Sequence, residues 1–165
     1  MNTELKERLM LLAERYETPA FIVEDPIRIP HRYHSQTDVE ISALVTSWIA
    51  TGNRKAIIRS ADRIDCAIFK NAPYQYIMSK EWRMYAGQKG SFYRYYSFDD
   101  FYLLCDTLYT VYSRKPTLED YLYESFETLS PLQRLQSVFG HINGMPEMSS
   151  TSEAKKMCMF LRWMI

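Results

Sequence analysis

Two adjacent lysines near the end of the chain, Lys155 and Lys156, are the side chains best suited to nucleophilic chemistry. A lysine attacks carbon only when its amine is neutral, so its pKa must be lowered. Both lysines fall in the first turn of a predicted helix, whose N-terminus disfavours positive charge, and each repels the other. Either lysine could therefore act as an amine nucleophile. A pair of solvated surface lysines is the competing interpretation.

A second group of side chains could bind phosphate. Four cations follow the Gly52-Asn53 pair at the predicted start of a helix: Arg54, Lys55, Arg59 and Arg63. Helix N-termini and basic side chains attract phosphate, and an amide at a loop tip can reach a nucleic-acid groove. We therefore predict nucleic-acid contacts by Asn53, Arg54, Lys55 and Arg59. A solvated helical face is the alternative.

Two further clusters allow more than one interpretation. His31, His34 and Asp38 carry metal-ligand groups, but their spacing matches no established zinc site. We expect histidines bonded to backbone carbonyls there, and no metal or cofactor. Aromatic residues surround Arg94 and could stack on bases or form core and interface. They are Phe92, Tyr93, Tyr95, Tyr96, Phe98, Phe101 and Tyr102.

Helical periodicity predicts the elements that position these groups. Apolar residues recur at helical spacing in most of the chain, and capping signals precede the runs. The signals are Thr37 with Glu40, Asn53, Ser97 with Asp100, Thr117 with Asp120, Ser130 with Pro131, and Ser150 with Glu153. Residues 19–36 are predicted to form an extended loop, and a sheet is not expected. The predicted fold is all-α, an orthogonal bundle of about seven helices in one domain over residues 1–165.

The charge and the cysteine content indicate which classes of protein are excluded and in which compartment the protein works. Twenty basic and twenty acidic side chains give a net charge of zero, which excludes a polycationic nucleic-acid wrapper. The three cysteines are far apart in the sequence, which is typical of a reducing compartment. The first residues are charged, and no apolar run is long enough to span a bilayer. We expect a cytoplasmic protein without a membrane partner.

The last predicted helix is apolar on all sides. After Lys156 every residue except Arg162 is apolar, up to Ile165. Such a helix must be covered, either inside the bundle or by further protein that packs on it. We expect the second arrangement. The end around Trp163 would then self-associate or contact a missing C-terminal segment.

Three stretches together resemble a bacterial family of conserved hypothetical proteins with a domain of unknown function. They are Asp25-Pro-Ile-Arg-Ile-Pro-His-Arg-Tyr33, Gly52-Asn-Arg-Lys55 and Met159-Phe-Leu-Arg-Trp-Met164. The family is distantly similar to the helix-hairpin-helix DNA glycosylase superfamily, and its members look longer than this chain. The resemblance implies a glycosylase-like helical domain of which residues 1–165 are the N-terminal part.

In that superfamily a lysine opens the second helix of the hairpin and attacks the sugar. By position Lys155 matches it, with Lys156 one residue away. The resemblance also implies DNA as the partner and places the turn at Asn53 against it. The Gly-x-Gly of the hairpin is absent between Gly144 and Lys155, and the aspartate segment would follow Ile165. We therefore expect a DNA-repair glycosylase scaffold without a complete active site. A non-catalytic nucleic-acid-binding module and a helical protein-interaction domain are the alternatives.

Overall fold

The structure, a computed structural model, describes residues 3–16, 18–145 and 154–164. These residues form α-helices connected by short turns and one small hairpin. The helices are α1 (Thr3–Tyr16), α2 (Pro19–Glu24), α3 (Gln36–Trp48), α4 (Arg54–Arg63), α5 (Pro73–Ser79), α6 (Phe98–Arg114), α7 (Leu118–Ser125), α8 (Pro131–Phe139) and α9 (Lys155–Trp163). Turns of 3-10 helix occupy Pro26–Arg28, Pro30–Arg32 and Glu81–Tyr85, and a π-helical turn occupies Ile64–Ile68. The all-α class is confirmed.

Helix α3 lies at the centre of the core. All its residues from Glu40 to Trp48 are buried, and it packs against α5, α9 and the 3-10 turns before it. A helix buried on all sides needs apolar or small side chains around its whole circumference. Ile41 and Leu44 meet that need, and Trp48 donates its indole N–H to the backbone carbonyl of Asn143 at 2.8 Å. The chain after α8 is thereby fixed to the end of α3.

The predicted capping box at Thr37 and Glu40 is wrong. Helix α3 begins at Gln36, and the buried Glu40 carboxylate points to another helix. It accepts hydrogen bonds from the backbone N–H groups of Leu118 at 2.9 Å and Glu119 at 3.3 Å, the first residues of α7. A negative charge at a helix N-terminus is stabilised by the unpaired N–H groups there. Glu40 therefore connects α3 to α7.

The extended loop predicted for residues 19–36 is also wrong. This segment forms α2 and two consecutive 3-10 turns. Proline has the backbone angle of a first helical residue and needs no N–H partner there, and Pro26 and Pro30 each open a turn. Asp25 caps the first turn by accepting a hydrogen bond from the Ile27 N–H at 3.1 Å. The three prolines start helical turns rather than break them.

A small hairpin, not predicted, joins the core next to α6. Strands β1 (Ser91–Tyr93) and β2 (Tyr96–Ser97) are antiparallel. The ring of Phe92 stacks on Phe101 at 4.1 Å between centroids, and Tyr96 stacks on Trp48 at 4.5 Å. Strands of three and two residues are too short to show an alternating pattern. Aromatic packing holds this hairpin against the helices.

The remaining capping predictions are confirmed wherever the structure describes them. Helices α4, α6, α7 and α8 begin directly after Asn53, Ser97, Thr117 and Ser130, and each of these side chains accepts a backbone N–H hydrogen bond. The predicted cap at Ser150 and Glu153 lies outside the described residues. Capping is local, which explains why the sequence predicts it well.

Helix α9 is covered on one side. Met157 and Phe160 are buried, and the helix packs against α3 and α8. Cys158 and Arg162 are exposed, while Trp163 is half-buried. Within the described ranges, no helix is long and apolar enough to cross a membrane.

Candidate functional site

The N-terminus of α4 presents the predicted phosphate-binding residues to solvent. Asn53, Arg54, Lys55 and Arg59 are all exposed. The Asn53 side chain accepts the Lys55 N–H at 2.9 Å and so fixes the start of the helix. The preceding Gly52 has a φ of +101°, which L-residues rarely adopt. A tight turn therefore places the amide and the cations at one corner of the molecule.

Arg54 differs from its neighbours because it also contacts the protein. Its guanidinium lies 3.8 Å from the Asp25 carboxylate and 5.4 Å from the centre of the Phe21 ring. These contacts connect α4 to α2 and to the beginning of the distinctive Asp25–Tyr33 stretch. Lys55 and Arg59 form no salt bridge among the described residues. Unlike Arg54, these two cations are not paired with a carboxylate of the described residues.

The hairpin tip packs against the same corner. The Arg94 guanidinium lies over Gly52 so closely that a Cβ atom there would sit 2.5 Å from Nη1. Arg94 itself has a φ of +51°. The sequence indicated Arg94 only as a cation among aromatic residues, and nothing in it showed the contact with Gly52. This contact adds a fourth cation to Arg54, Lys55 and Arg59 at the corner.

The structure distinguishes the two candidate lysines. Lys155 is exposed, whereas Lys156 is half-buried. The Lys156 amine donates a hydrogen bond to the Tyr96 hydroxyl and lies 4.6 Å from the centre of the same ring. Burial lowers the pKa of Lys156 from its ordinary 10.5 to about 8. The sequence-based reasoning invoked the helix end and the adjacent lysine, but the cause of the lowered pKa is loss of water.

Tyr96 connects this amine to the cationic corner. Tyr96 lies in the hairpin whose tip residue Arg94 packs on Gly52, and burial raises the pKa of Tyr96. On the other side the ring lies against Gly144, where a Cβ atom would come within 2.5 Å of the hydroxyl. The hairpin thus connects Lys156, through Tyr96, with the Gly52-Asn53 corner, through Arg94. Lys155 has no such connection in the part of the chain that the structure describes.

An open groove of about 980 Å³ runs between α2, α4 and α9. Its walls include Phe21, Ile57 and Met159, and Arg54 and Arg162 supply positive charge. The exposed His31 also borders it. Trp163 lies between this groove and a second one of about 780 Å³ beside α7 and α8. The predicted contact surface around Trp163 is therefore the ridge between two grooves.

A buried carboxylate that the sequence reasoning missed holds the Asp25–Tyr33 stretch in place. Asp65 lies in the π-helical turn, and its side chain is 2 % exposed. It accepts hydrogen bonds from the Tyr33 hydroxyl at 2.5 Å and from Arg32 at 3.1 Å. Burial raises the pKa of Asp65, and these two hydrogen bonds act against that rise. Arg32 also pairs with Asp62.

The histidine cluster does not assemble in the described residues. His31 and His34 are exposed, and Asp38 accepts the backbone N–H of Tyr74 at 2.9 Å. Across the ranges that the structure describes, no three His, Cys, Asp or Glu side chains lie close enough to hold a metal ion. The exposed cysteines Cys66 and Cys158 form no disulfide.

The fold and the site define an α-helical protein with a half-buried lysine beside a cationic loop. The chain belongs to the family described as "Protein of unknown function (DUF2400)", whose model matches residues 25–165. No curated protein and no solved structure matches it. The predicted relation to a family of unknown function is confirmed, and the matched region begins at the first residue of the Asp25–Tyr33 stretch.

Proposed function

We propose that this protein binds DNA at its Gly52-Asn53 corner and that Lys156 forms an imine with the aldehyde of an abasic site. The proposal extends the resemblance to helix-hairpin-helix DNA glycosylases. One observation carries it: the half-buried amine of Lys156 is hydrogen-bonded to Tyr96, in the hairpin whose Arg94 packs on Gly52. A nucleophile and a surface for phosphate thus share one side of the molecule.

The charge distribution supports backbone binding. The start of α4 carries the positive end of the helix dipole and exposed cations, and Arg94 joins them from the hairpin. Each cation that neutralises a phosphate releases counterions, which makes binding strongly dependent on salt. Because Lys55 and Arg59 have no salt-bridge partner in the described residues, they are available to phosphate.

The reaction that we propose for Lys156 forms an imine and releases one molecule of water. The neutral amine adds to the aldehyde carbon, a C–N bond forms, and the carbinolamine loses water to give the imine. A pKa of about 8 leaves part of the amine neutral at physiological pH. The Tyr96 hydroxyl, which its raised pKa keeps protonated, orients the amine.

We do not propose that the protein removes a base from DNA. Glycosylase chemistry needs a carboxylate to stabilise the developing sugar cation. In the described residues Lys156 has no carboxylate partner. A DNA substrate that already contains the aldehyde is therefore the proposed substrate.

Borohydride trapping on DNA with one abasic site tests the proposal. Borohydride reduces an imine to a stable amine, so the wild-type protein should become covalently attached. Lys156→Arg, which keeps the charge, should bind the DNA but not be trapped, and Lys155→Ala should be trapped normally. DNA binding without trapping would replace the proposal by a non-catalytic binding module. Trapping lost in Lys155→Ala and kept in Lys156→Arg would assign the amine to Lys155 instead.

A further inference from the structure

The hairpin tip exposes one aromatic ring while its neighbours are covered. Tyr93 pairs with Tyr96 across the hairpin, which leaves Arg94 and Tyr95 as the two-residue tip. Tyr95 is 72 % exposed and Tyr96 is 4 % exposed. Tyr93 is half-buried, and its ring stacks with that of Tyr96. The hairpin therefore has a packed base and a single ring that points outward.

The tip is held in one position. The Ser91 hydroxyl donates a hydrogen bond to the Arg94 carbonyl at 2.8 Å. The Arg94 guanidinium packs between Gly52 and the Tyr93 ring, whose centre is 5.9 Å away. Tyr95 follows Arg94 directly, so their Cα atoms are about 3.8 Å apart. The backbone that carries the exposed ring is thus held next to Arg94, which contacts Gly52.

The surroundings of the ring favour a polyanion with flat, apolar groups. Arg94 and the cations at the start of α4 lie on this side of the molecule. The nearest acidic residues of α6 are already occupied by the protein, since Asp99 accepts the Gly87 N–H and Asp100 caps the helix at Ser97. Proteins that bind single strands combine cations for the backbone with aromatic side chains for the bases.

We infer that Tyr95 stacks on an unpaired base of the nucleic acid bound at the Gly52-Asn53 corner. This inference rests on the proposed function and adds a preference for single-stranded or locally unpaired DNA. A base inside a duplex has both faces covered by its neighbours, whereas an unpaired base offers a face to the ring. Stacking accepts any base, so the preference concerns strand structure and not sequence.

The test compares a fluorescein-labelled 15-nucleotide single strand with the same sequence as a duplex. The wild-type protein should bind the single strand more tightly. Tyr95→Ala should weaken that binding about tenfold, which is within the usual range for loss of one stacked base, and should leave duplex binding nearly unchanged. Tyr95→Phe keeps the ring and should restore the preference. Tyr123→Ala, which removes another exposed tyrosine, is the matched control.

A 2-aminopurine base in the single strand provides the second measurement. Its fluorescence should be quenched by the wild type and by Tyr95→Phe, and much less by Tyr95→Ala. Unchanged affinity and quenching in Tyr95→Ala would overturn the inference while the proposed function stands. If the wild-type protein binds neither DNA, the proposed function itself fails, and the inference fails with it.

Discussion

The amine of Lys156 donates a hydrogen bond to the hydroxyl of Tyr96, 60 residues earlier in the chain. Lys156 is half-buried at this position, so water solvates the charged form of its amine poorly. Burial of the charged form lowers the stability of the fold, and the lowered pKa leaves more of the amine neutral and therefore reactive. Both effects depend on pH.

We expect Lys156 to make stability depend on pH above neutrality. The folded-state pKa of about 8 lies below the ordinary value of 10.5, so the unfolded chain binds more protons between these values. The unfavourable contribution of Lys156 is complete below pH 8 and disappears as the pH rises to 10.5. Lys156→Met should stabilise the protein by about 1 to 3 kcal/mol at pH 7 and by less at pH 10. Urea unfolding at both pH values measures the difference, with Lys155→Met as the control; equal stabilisation at the two pH values would contradict it.

Gly52→Ala should destabilise the fold by about 2 kcal/mol, chiefly because a φ of +101° is unfavourable for alanine; the Arg94 guanidinium must also move away from the new Cβ atom. Gly87→Ala is the matched control. It also has a positive φ, but no atom of the described residues lies within 4 Å of its Cβ position, so the variant should lose only about 1 kcal/mol. Chemical denaturation measures both. Equal losses would show that neither the φ of Gly52 nor the displacement of Arg94 adds to the cost of the substitution.

Glu40→Ala should lower the free energy of unfolding by about 3 kcal/mol. The substitution leaves the buried Tyr112 hydroxyl and the Leu118 N–H without their acceptor. Thr37→Ala should lose about 0.5 kcal/mol or less, since Thr37 does not cap α3. A larger loss for Thr37→Ala than for Glu40→Ala would favour the local capping box that the sequence predicted.

The double substitution of Lys55 and Arg59 by alanine should reduce the salt dependence of DNA binding. Two lost phosphate contacts lower the slope of log affinity against log salt by about 1.8 for duplex DNA. Lys70→Ala, which removes an exposed lysine already paired with Glu81, should leave the slope unchanged. Fluorescence anisotropy measures the slope. The salt concentration is varied from about 50 to 200 mM, a range over which affinities that depend on phosphate contacts fall strongly. An unchanged slope in the double variant would place the DNA elsewhere.

The fold was largely predictable where its signals are local. Asn53, Ser97, Thr117 and Ser130 cap helices because each side chain reaches an N–H two or three residues away. The apolar face of α3 also gives a strong helical signal. Short range in sequence and regular spacing are the properties that these successful predictions share.

The predictions that were wrong, and the contacts that were not predicted, involve residues that are far apart in the sequence. Glu40 caps a helix that begins 78 residues later, and Asp65 binds Tyr33 from 32 residues away. Lys156, unlike Lys155, is half-buried and contacts Tyr96, 60 residues earlier. No pattern within one element could show these contacts. The candidate residues at the corner were found from charge alone, whereas Arg94 was connected to them only by the packing of the hairpin.

Trp163 borders both grooves, and this position gives the protein an internal optical reporter. The other two tryptophans of the chain, Trp48 and Trp82, are completely shielded from water. A molecule that enters either groove therefore changes the environment of one indole and leaves the emission of the other two nearly constant. Intrinsic fluorescence can thus detect occupancy of these grooves without any label.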